Sequence, residues 1–234
     1  MTRRMRIVPV LDLKGGIVVH ARRGQRGEYA PLRSRLVNGC DPVAVARALC
    51  ALCRTSSLYV ADLDALAGEP VNEAALAALG SVARPWVDAG ATTLERAAAL
   101  SRAGVARNVV GTESLGAGVR LAASTTPPLV LSVDLREGRL ISPDPELAGG
   151  NPAAAAPLAT ALGVHEALVI DLARVGSGAG PPVEAVAELA AALPGVAVYV
   201  GGGVRDDDDL HALESAGAAG ALVATALHER RLTP

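Results

Sequence analysis

Short β-type runs alternate with longer alanine- and leucine-rich segments along the whole chain, which is the rhythm of repeated βα units around a parallel sheet. Eight runs are predicted as strands: Ile7 to Leu13, Leu58 to Leu63, Pro85 to Asp88, Asn108 to Gly111, Leu129 to Leu135, Ala167 to Leu172, Val196 to Gly201 and Ala221 to Ala224. Between them, helical patterns cover Pro42 to Cys53, Asn72 to Leu79, Thr93 to Arg102, Glu113 to Ala122, Pro152 to Leu162, Pro182 to Leu193 and Asp206 to Ser215, with a short last helix after Thr225. Several open on Asp, Thr or Pro, as helix N-termini do. Eight strands with their crossovers in fewer than about 250 residues match an α/β chain folded as a (β/α)8 TIM barrel better than an open sheet. The glycine cluster Gly176 to Gly180 meets Pro181 and Pro182 where a dinucleotide-binding turn would enter its helix, so a Rossmann reading is weak.

An internal repeat organises the barrel further. Gly90, Gly104 and Thr112 recur as Gly203, Gly217 and Thr225 at a constant offset of 113 residues. Asp12-Leu13 is echoed by Asp134-Leu135, and Asp62-Leu63 by Asp171-Leu172. The expectation is one domain over residues 1–234 made of two half-barrels, about 1–125 and 126–234.

Composition narrows the function classes. Half of the 234 residues are apolar and 20% are charged, which excludes a disordered or collagenous chain. A net charge of −2 provides no field for a nucleic-acid backbone, and no apolar run approaches the roughly 18 residues of a membrane span. A soluble cytoplasmic protein with no nucleic-acid or membrane partner is expected. Cys40, Cys50 and Cys53 are odd in number and clustered, so they read as helix thiols rather than a disulfide framework or zinc site. The four histidines have no ligand spacing, so no metal and no cofactor is expected. Lys14 is the only lysine, the one residue that Schiff-base chemistry could use.

The candidate chemistry lies at the C-terminal strand ends, where barrels of this kind place their sites. Asp12 and Asp134 end the first and fifth strands, which are diametrically opposite. Such a pair can divide the roles of base and acid over one small substrate. The other reading of each is a loop cap that accepts backbone N–H bonds. Gly201, Gly202 and Gly203, with Ala224 and Thr225 on the neighbouring turn, form a candidate phosphate cup of bare backbone; a tight βα turn is the alternative. Asp206 to Asp209 is expected to complement a helix dipole and face solvent. The arginine-rich loop from Arg22 to Pro31 is either a lid over an anion or solvated charge.

Val8-Pro-Val-Leu-Asp-Leu-Lys-Gly-Gly-Ile-Val-Val19, Ala61-Asp-Leu-Asp64, Val130-Leu-Ser-Val-Asp134, Asp171-Leu-Ala-Arg174 and Gly201-Gly-Gly-Val-Arg205 resemble the histidine-biosynthesis barrels, namely ProFAR isomerase and the cyclase subunit of imidazole-glycerol-phosphate synthase. The resemblance spans nearly the whole chain. It implies an aldose–ketose isomerase acting by an Amadori rearrangement on a small phosphorylated sugar-type substrate, with Asp12 as general base and Asp134 as general acid. It also implies two phosphate cups: Gly111 and Thr112 in the first half, and Gly201 to Gly203 with Ala224 and Thr225 in the second. Asp171, Arg174 and Ser177 would complete the site. The chain departs from the pattern at Asp88-Ala-Gly90, which puts a carboxylate where a phosphate would sit, at Ala224 in place of a glycine, and at Val175 in place of an aspartate. The first cup is therefore expected to be damaged. A divergent branch, such as the ProFAR-isomerase-related proteins of methanogens and methylotrophs, is the alternative. It would take a changed, monophosphorylated substrate in tetrahydromethanopterin-type cofactor biosynthesis. A non-catalytic phosphate-binding barrel is the third reading. The oligomeric state and any glutaminase-like partner are not legible in the sequence.

Overall fold

The computed structural model describes residues 5–22, 24–116 and 127–234. Eight strands close a parallel barrel: β1 (Arg6–Lys14), β2 (Ser57–Asp62), β3 (Arg84–Asp88), β4 (Arg107–Gly111), β5 (Leu129–Arg136), β6 (Glu166–Asp171), β7 (Ala197–Gly201) and β8 (Gly220–Val223). Each pairs in parallel with its successor, and β8 returns to β1 with Ile7 opposite Ala221, which closes the ring. The fold is the expected (β/α)8 barrel. Its helices are α1 (Pro42–Cys53), α2 (Leu63–Leu66), α3 (Glu73–Gly80), α4 (Leu94–Arg102), α5 (Ala156–Leu162), α6 (Val183–Ala192), α7 (Asp207–Ser215) and α8 (Thr225–His228).

Local chemistry sets the element ends. Asp41 caps α1 by accepting the Ala44 N–H at 2.8 Å, Pro42 occupies the first turn, and Arg54 stops the helix in the left-handed region at φ 49°. The face of α1 that carries Val45, Ala46 and Leu49 is buried. Cys40, Cys50 and Cys53 are half-buried free thiols. The predicted helix from Glu113 to Ala122 differs at its start: residues 112–114 form a turn, with the Ser114 and Leu115 N–H groups donating to the Gly111 carbonyl. The rest of that prediction, residues 117–122, lies outside the described residues, as does Arg23 of the arginine-rich loop.

Two apolar layers hold the barrel. Between strands and helices lies a leucine- and valine-rich shell that includes Leu11, Leu49, Leu131 and Leu189. Inside the ring every strand contributes to a second cluster: Val8, Tyr59, Trp86, Val109, Val130, Leu168, Tyr199 and Leu222. Side chains alternate between these layers with the period of two of a strand.

The N-terminal end of the ring is plugged. The Arg6 guanidinium lies 5.7 Å from the Trp86 ring centre and 5.9 Å from that of Tyr199, and the two rings meet edge to face at 5.1 Å. Arg6 donates to Ser57 Oγ at 2.6 Å and Tyr199 Oη at 3.1 Å. Gly220 makes room for this packing, because a Cβ there would stand 2.7 Å from Tyr199 Cε1.

At the opposite end β1 and β5 run on into hairpins. Ile17–His20 pairs antiparallel with β1 and is joined by Ala30–Pro31, while Arg139–Leu140 pairs antiparallel with β5.

Candidate functional site

Counting inward positions up the strands in steps of two leads from the apolar interior to the C-terminal mouth. Val8 and Val10 lead to Asp12, Trp86 to Asp88, Val130 and Ser132 to Asp134, and Tyr199 to Gly201. The mouth is one cavity of about 340 Å³ whose lining includes Asp12, Asp88, Glu113, Asp134 and Arg26, and, on the far side, Gly201 to Gly203 with Ala224 and Thr225. Asp12 and Asp134 therefore face a common space shared with the glycine triplet.

Four carboxylates gather around this space, and their environments differ. Asp134 is buried; Ser132 Oγ lies 2.6 Å from its Oδ1, and the Glu113 N–H donates to Oδ2 at 3.2 Å. Burial, reinforced by the negative charges of Glu113 and Asp88, drives its pKa well above the usual carboxylate range. Among the described residues none donates a hydrogen bond to Asp12. Burial raises its pKa to about 7, held back by the charge of Arg26. Asp88 is also raised to about 7 by burial and by Glu113, against the Gly90 N–H, Arg26 and Tyr59. Tyr59 stands among these acids with its Oη 3.5 Å from Asp88 Oδ2, and burial followed by the charge of Asp88 lifts its pKa well above that of a free phenol. Burial thus favours the proton-bearing form of Asp134 and raises Asp12 and Asp88 toward neutrality, the kind of difference that a proton transfer uses.

Arg26 arrives from the loop after β1 and pairs with Glu113 across the mouth, while Lys14 Nζ donates to the Arg26 carbonyl at 2.9 Å. Burial works against its charge, but Glu113, then Asp88, hold its pKa above the ordinary arginine value.

On the β7–β8 side, Gly202 and Gly203 have φ of 92° and 87°. Gly203 presses against the Gly180–Pro181 backbone, and Gly202 against Val175. Thr225 Oγ1 lies 3.5 Å from His20 Nε2. His228 is buried beside it, with Nδ1 3.0 Å from Ser34 Oγ; burial, then His20, depresses its pKa to about 4.

Of the residues singled out in the sequence, Asp12, Asp134, Gly201, Gly202, Gly203, Ala224, Thr225 and Ser177 line the cavity. Gly111, Thr112, Asp171 and Arg174 stand behind its wall. Gly111 leaves room for the Asp134 carboxylate, and Thr112 Oγ1 accepts the Asp134 N–H at 2.9 Å. Asp171 accepts N–H bonds from Glu137, Gly138 and Ala173 and ties down the β5 hairpin, while Arg174 donates to the Gly180 carbonyl behind the glycine triplet. Asp62, its echo, braces the β2 loop by accepting from Ala65 and Asn72. The echoed aspartates thus divide, Asp62 and Asp171 to loop bracing and Asp12 and Asp134 to the cavity. The acidic run after β7 departs from its expectation. Asp206 caps α7, but Asp209 is buried and grips Arg205 at 2.8 and 2.9 Å instead of facing solvent. Among the described residues no three His, Cys, Asp or Glu side chains form a metal-binding group, and no helix is long and apolar enough to cross a membrane.

A parallel (β/α)8 barrel with an acid-lined mouth and a glycine turn after β7 defines the class. The chain belongs to the histidine biosynthesis protein family, whose pattern it matches over residues 6–233. It is 38% identical to the 1-(5-phosphoribosyl)-5-((5-phosphoribosylamino)methylideneamino) imidazole-4-carboxamide isomerase of Rubrobacter xylanophilus, over 97% of this chain and 93% of the relative. The isomerase of the same name from Acidithiobacillus ferrooxidans is 30% identical over 97% of this chain and 96% of the relative. An uncharacterised protein of Methanocaldococcus jannaschii is 28% identical over 96% and 94%.

Proposed function

We propose that this protein is an aldose–ketose isomerase of histidine biosynthesis, acting on a phosphorylated aminosugar by an Amadori rearrangement. The observation that supports the reading is that Asp12, Asp134 and the Gly201 to Gly203 turn line one cavity, where burial raises the pKa of both acids. The names of its relatives support the same reaction.

In this mechanism the phosphoryl group rests on the bare backbone after β7 and β8, and the sugar lies between the acids. Asp134, protonated, donates to the ring oxygen as the aminoaldose opens to its Schiff base. Asp12, titrating near neutrality, removes the proton from C2, and the resulting enolamine tautomerises to the aminoketose. No net redox change occurs, because the carbonyl character moves from C1 to C2 as the proton is relocated. Arg26 limits the rise of the Asp12 pKa, so that a useful fraction is ionised at neutral pH. The half-barrel reading, about 1–125 and 126–234, is supported by the sequence echo and by the hairpins that extend β1 and β5.

The test is turnover of a phosphorylated aminoaldose. The wild-type chain is expected to convert it, whereas Asp12→Asn and Asp134→Asn each lose roughly 10²-fold or more, the worth of a general acid or base, while still binding inorganic phosphate. Undiminished turnover in either variant refutes the assignment.

A further inference from the structure

The repeat of 113 residues puts Asp88, the last residue of β3, in the place held by Gly201 at the end of β7. The two ends of the mouth consequently differ in charge. At the β7 end Gly201 has no side chain, and among the described residues the Gly202 and Gly203 N–H groups are not taken by backbone carbonyls. At the β3 end the Asp88 carboxylate is only 4% exposed and accepts the Gly90 N–H of its own turn at 3.3 Å.

Four neighbouring donor groups on that side are engaged as well. The Glu113 N–H goes to Asp134, and the Thr112 N–H goes to the Ser132 carbonyl at 2.8 Å. Arg96 of α4, beside Gly90, turns its guanidinium to the carbonyls of Ala65, Ala89 and Glu69. Arg26, the guanidinium facing the acids, is paired with Glu113. A dianion placed here meets the carboxylates of Asp88 from β3, Glu113 from the β4 turn with its partner Arg26, and Asp12 from β1, with Asp134 from β5, Tyr59 from β2 and Tyr29 from the β1 loop as the remaining polar neighbours. Like charges at such range in a half-dry cavity repel strongly. An ammonium or hydroxyl group meets the same oxygens as acceptors.

We propose that Asp88 determines specificity, making the mouth two-ended: the β7–β8 end takes a single phosphoryl group, and the β3–β4 end takes a cationic or hydrogen-bond-donating group in preference to a second phosphoryl group. The substrate class is thus an aminosugar phosphate with a hydroxyl- or amine-bearing far end. The inference rests on the isomerase reading for the nature of the sugar, but the charge preference itself is a property of binding.

The test titrates the full chain above neutral pH, where Asp88 is ionised. The probes are alkanol phosphates of graded chain length that carry a hydroxyl, an ammonium or a second phosphate at the far end. In the wild type the ammonium and hydroxyl probes are expected to bind at least about tenfold tighter than the matched bisphosphates, and Asp88→Asn and Asp88→Gly are expected to reduce that ratio to within about threefold. Tightest binding of the bisphosphates by the wild type overturns the proposal, and does so even if the variants fail to fold. A ratio unchanged in folded Asp88→Asn overturns the role of Asp88. The measurement involves no turnover: an inactive protein with the expected order refutes only the isomerase reading, and an active isomerase that prefers bisphosphates refutes only this one.

Discussion

Gly203→Ala isolates what the glycine turn contributes. A Cβ at this position would overlap the Gly180 carbonyl oxygen and stand 2.5 Å from its carbon and 3.0 Å from Pro181 N, all of them backbone atoms that cannot rotate away. The residue also sits at φ +87°, where an L side chain costs roughly 1–2 kcal/mol. Forcing a methyl into a closed contact adds about 1–3 kcal/mol, so the total is about 2–5 kcal/mol, a large part of the roughly 5–15 kcal/mol that holds a domain together. Gly15→Ala provides the control. Gly15 has φ +57° and nothing within 4 Å of its would-be Cβ, so only the conformational cost applies. Urea unfolding of the two variants, read at constant slope, measures the contact by difference. Phosphate affinity is expected to fall in Gly203→Ala and to persist in Gly15→Ala. Equal destabilisation by the two substitutions would show that the Gly180–Pro181 segment yields freely, and the tight turn would then not explain the glycine.

Two further outcomes follow from the acid cluster. Gly111→Ala places a methyl against Asp134 Oδ2, a side-chain atom that can retreat; the chain is expected to stay folded but to lose roughly 10²-fold in turnover from a displacement of about 1 Å, and unchanged kcat would refute the placement of Asp134. Asp88, with its folded pKa raised to about 7, favours the folded state fully below the ordinary carboxylate pKa of about 4, and that contribution is lost as pH rises through 7. Asp88→Asn should therefore gain stability relative to wild type between about pH 5 and pH 8. Parallel melting curves across that range would contradict the burial argument.

The barrel strands were legible to within about a residue because both faces of each are buried, so the apolar runs have abrupt ends. α1 coincides with its predicted span, since Asp41, Pro42 and the periodic apolar face all agree. The hairpin strands at Ala30–Pro31 and Arg139–Leu140 are two residues long, too short for any period to show. Helix α2 was hidden because Leu63 reads as a continuation of β2, whereas Asp62 in fact caps a new helix. In the site, the echo of Asp12 by Asp134 was visible, and their places at the ends of opposite strands pointed to a shared mouth. Arg26 and Glu113 are separated by 87 residues and meet only through closure of the ring, so no local pattern announces the pair. Asp209 misled because an acid in a first helical turn usually faces water, and its burial depends on Arg205 folding back over it. Asp171 and Arg174 belong to the recognisable motif, yet in space they brace loops around the cavity.

Among the described residues the Arg6, Trp86 and Tyr199 plug closes the far end of the ring, so the reaction chamber opens at its C-terminal rim. A sugar entering by that rim passes the segment that carries Arg26, so departing ketose and arriving aldose share this passage. An enlarged residue at that threshold would slow arrival and departure alike, whereas opening the far end would let water rise beneath the acids and return them toward ordinary titration.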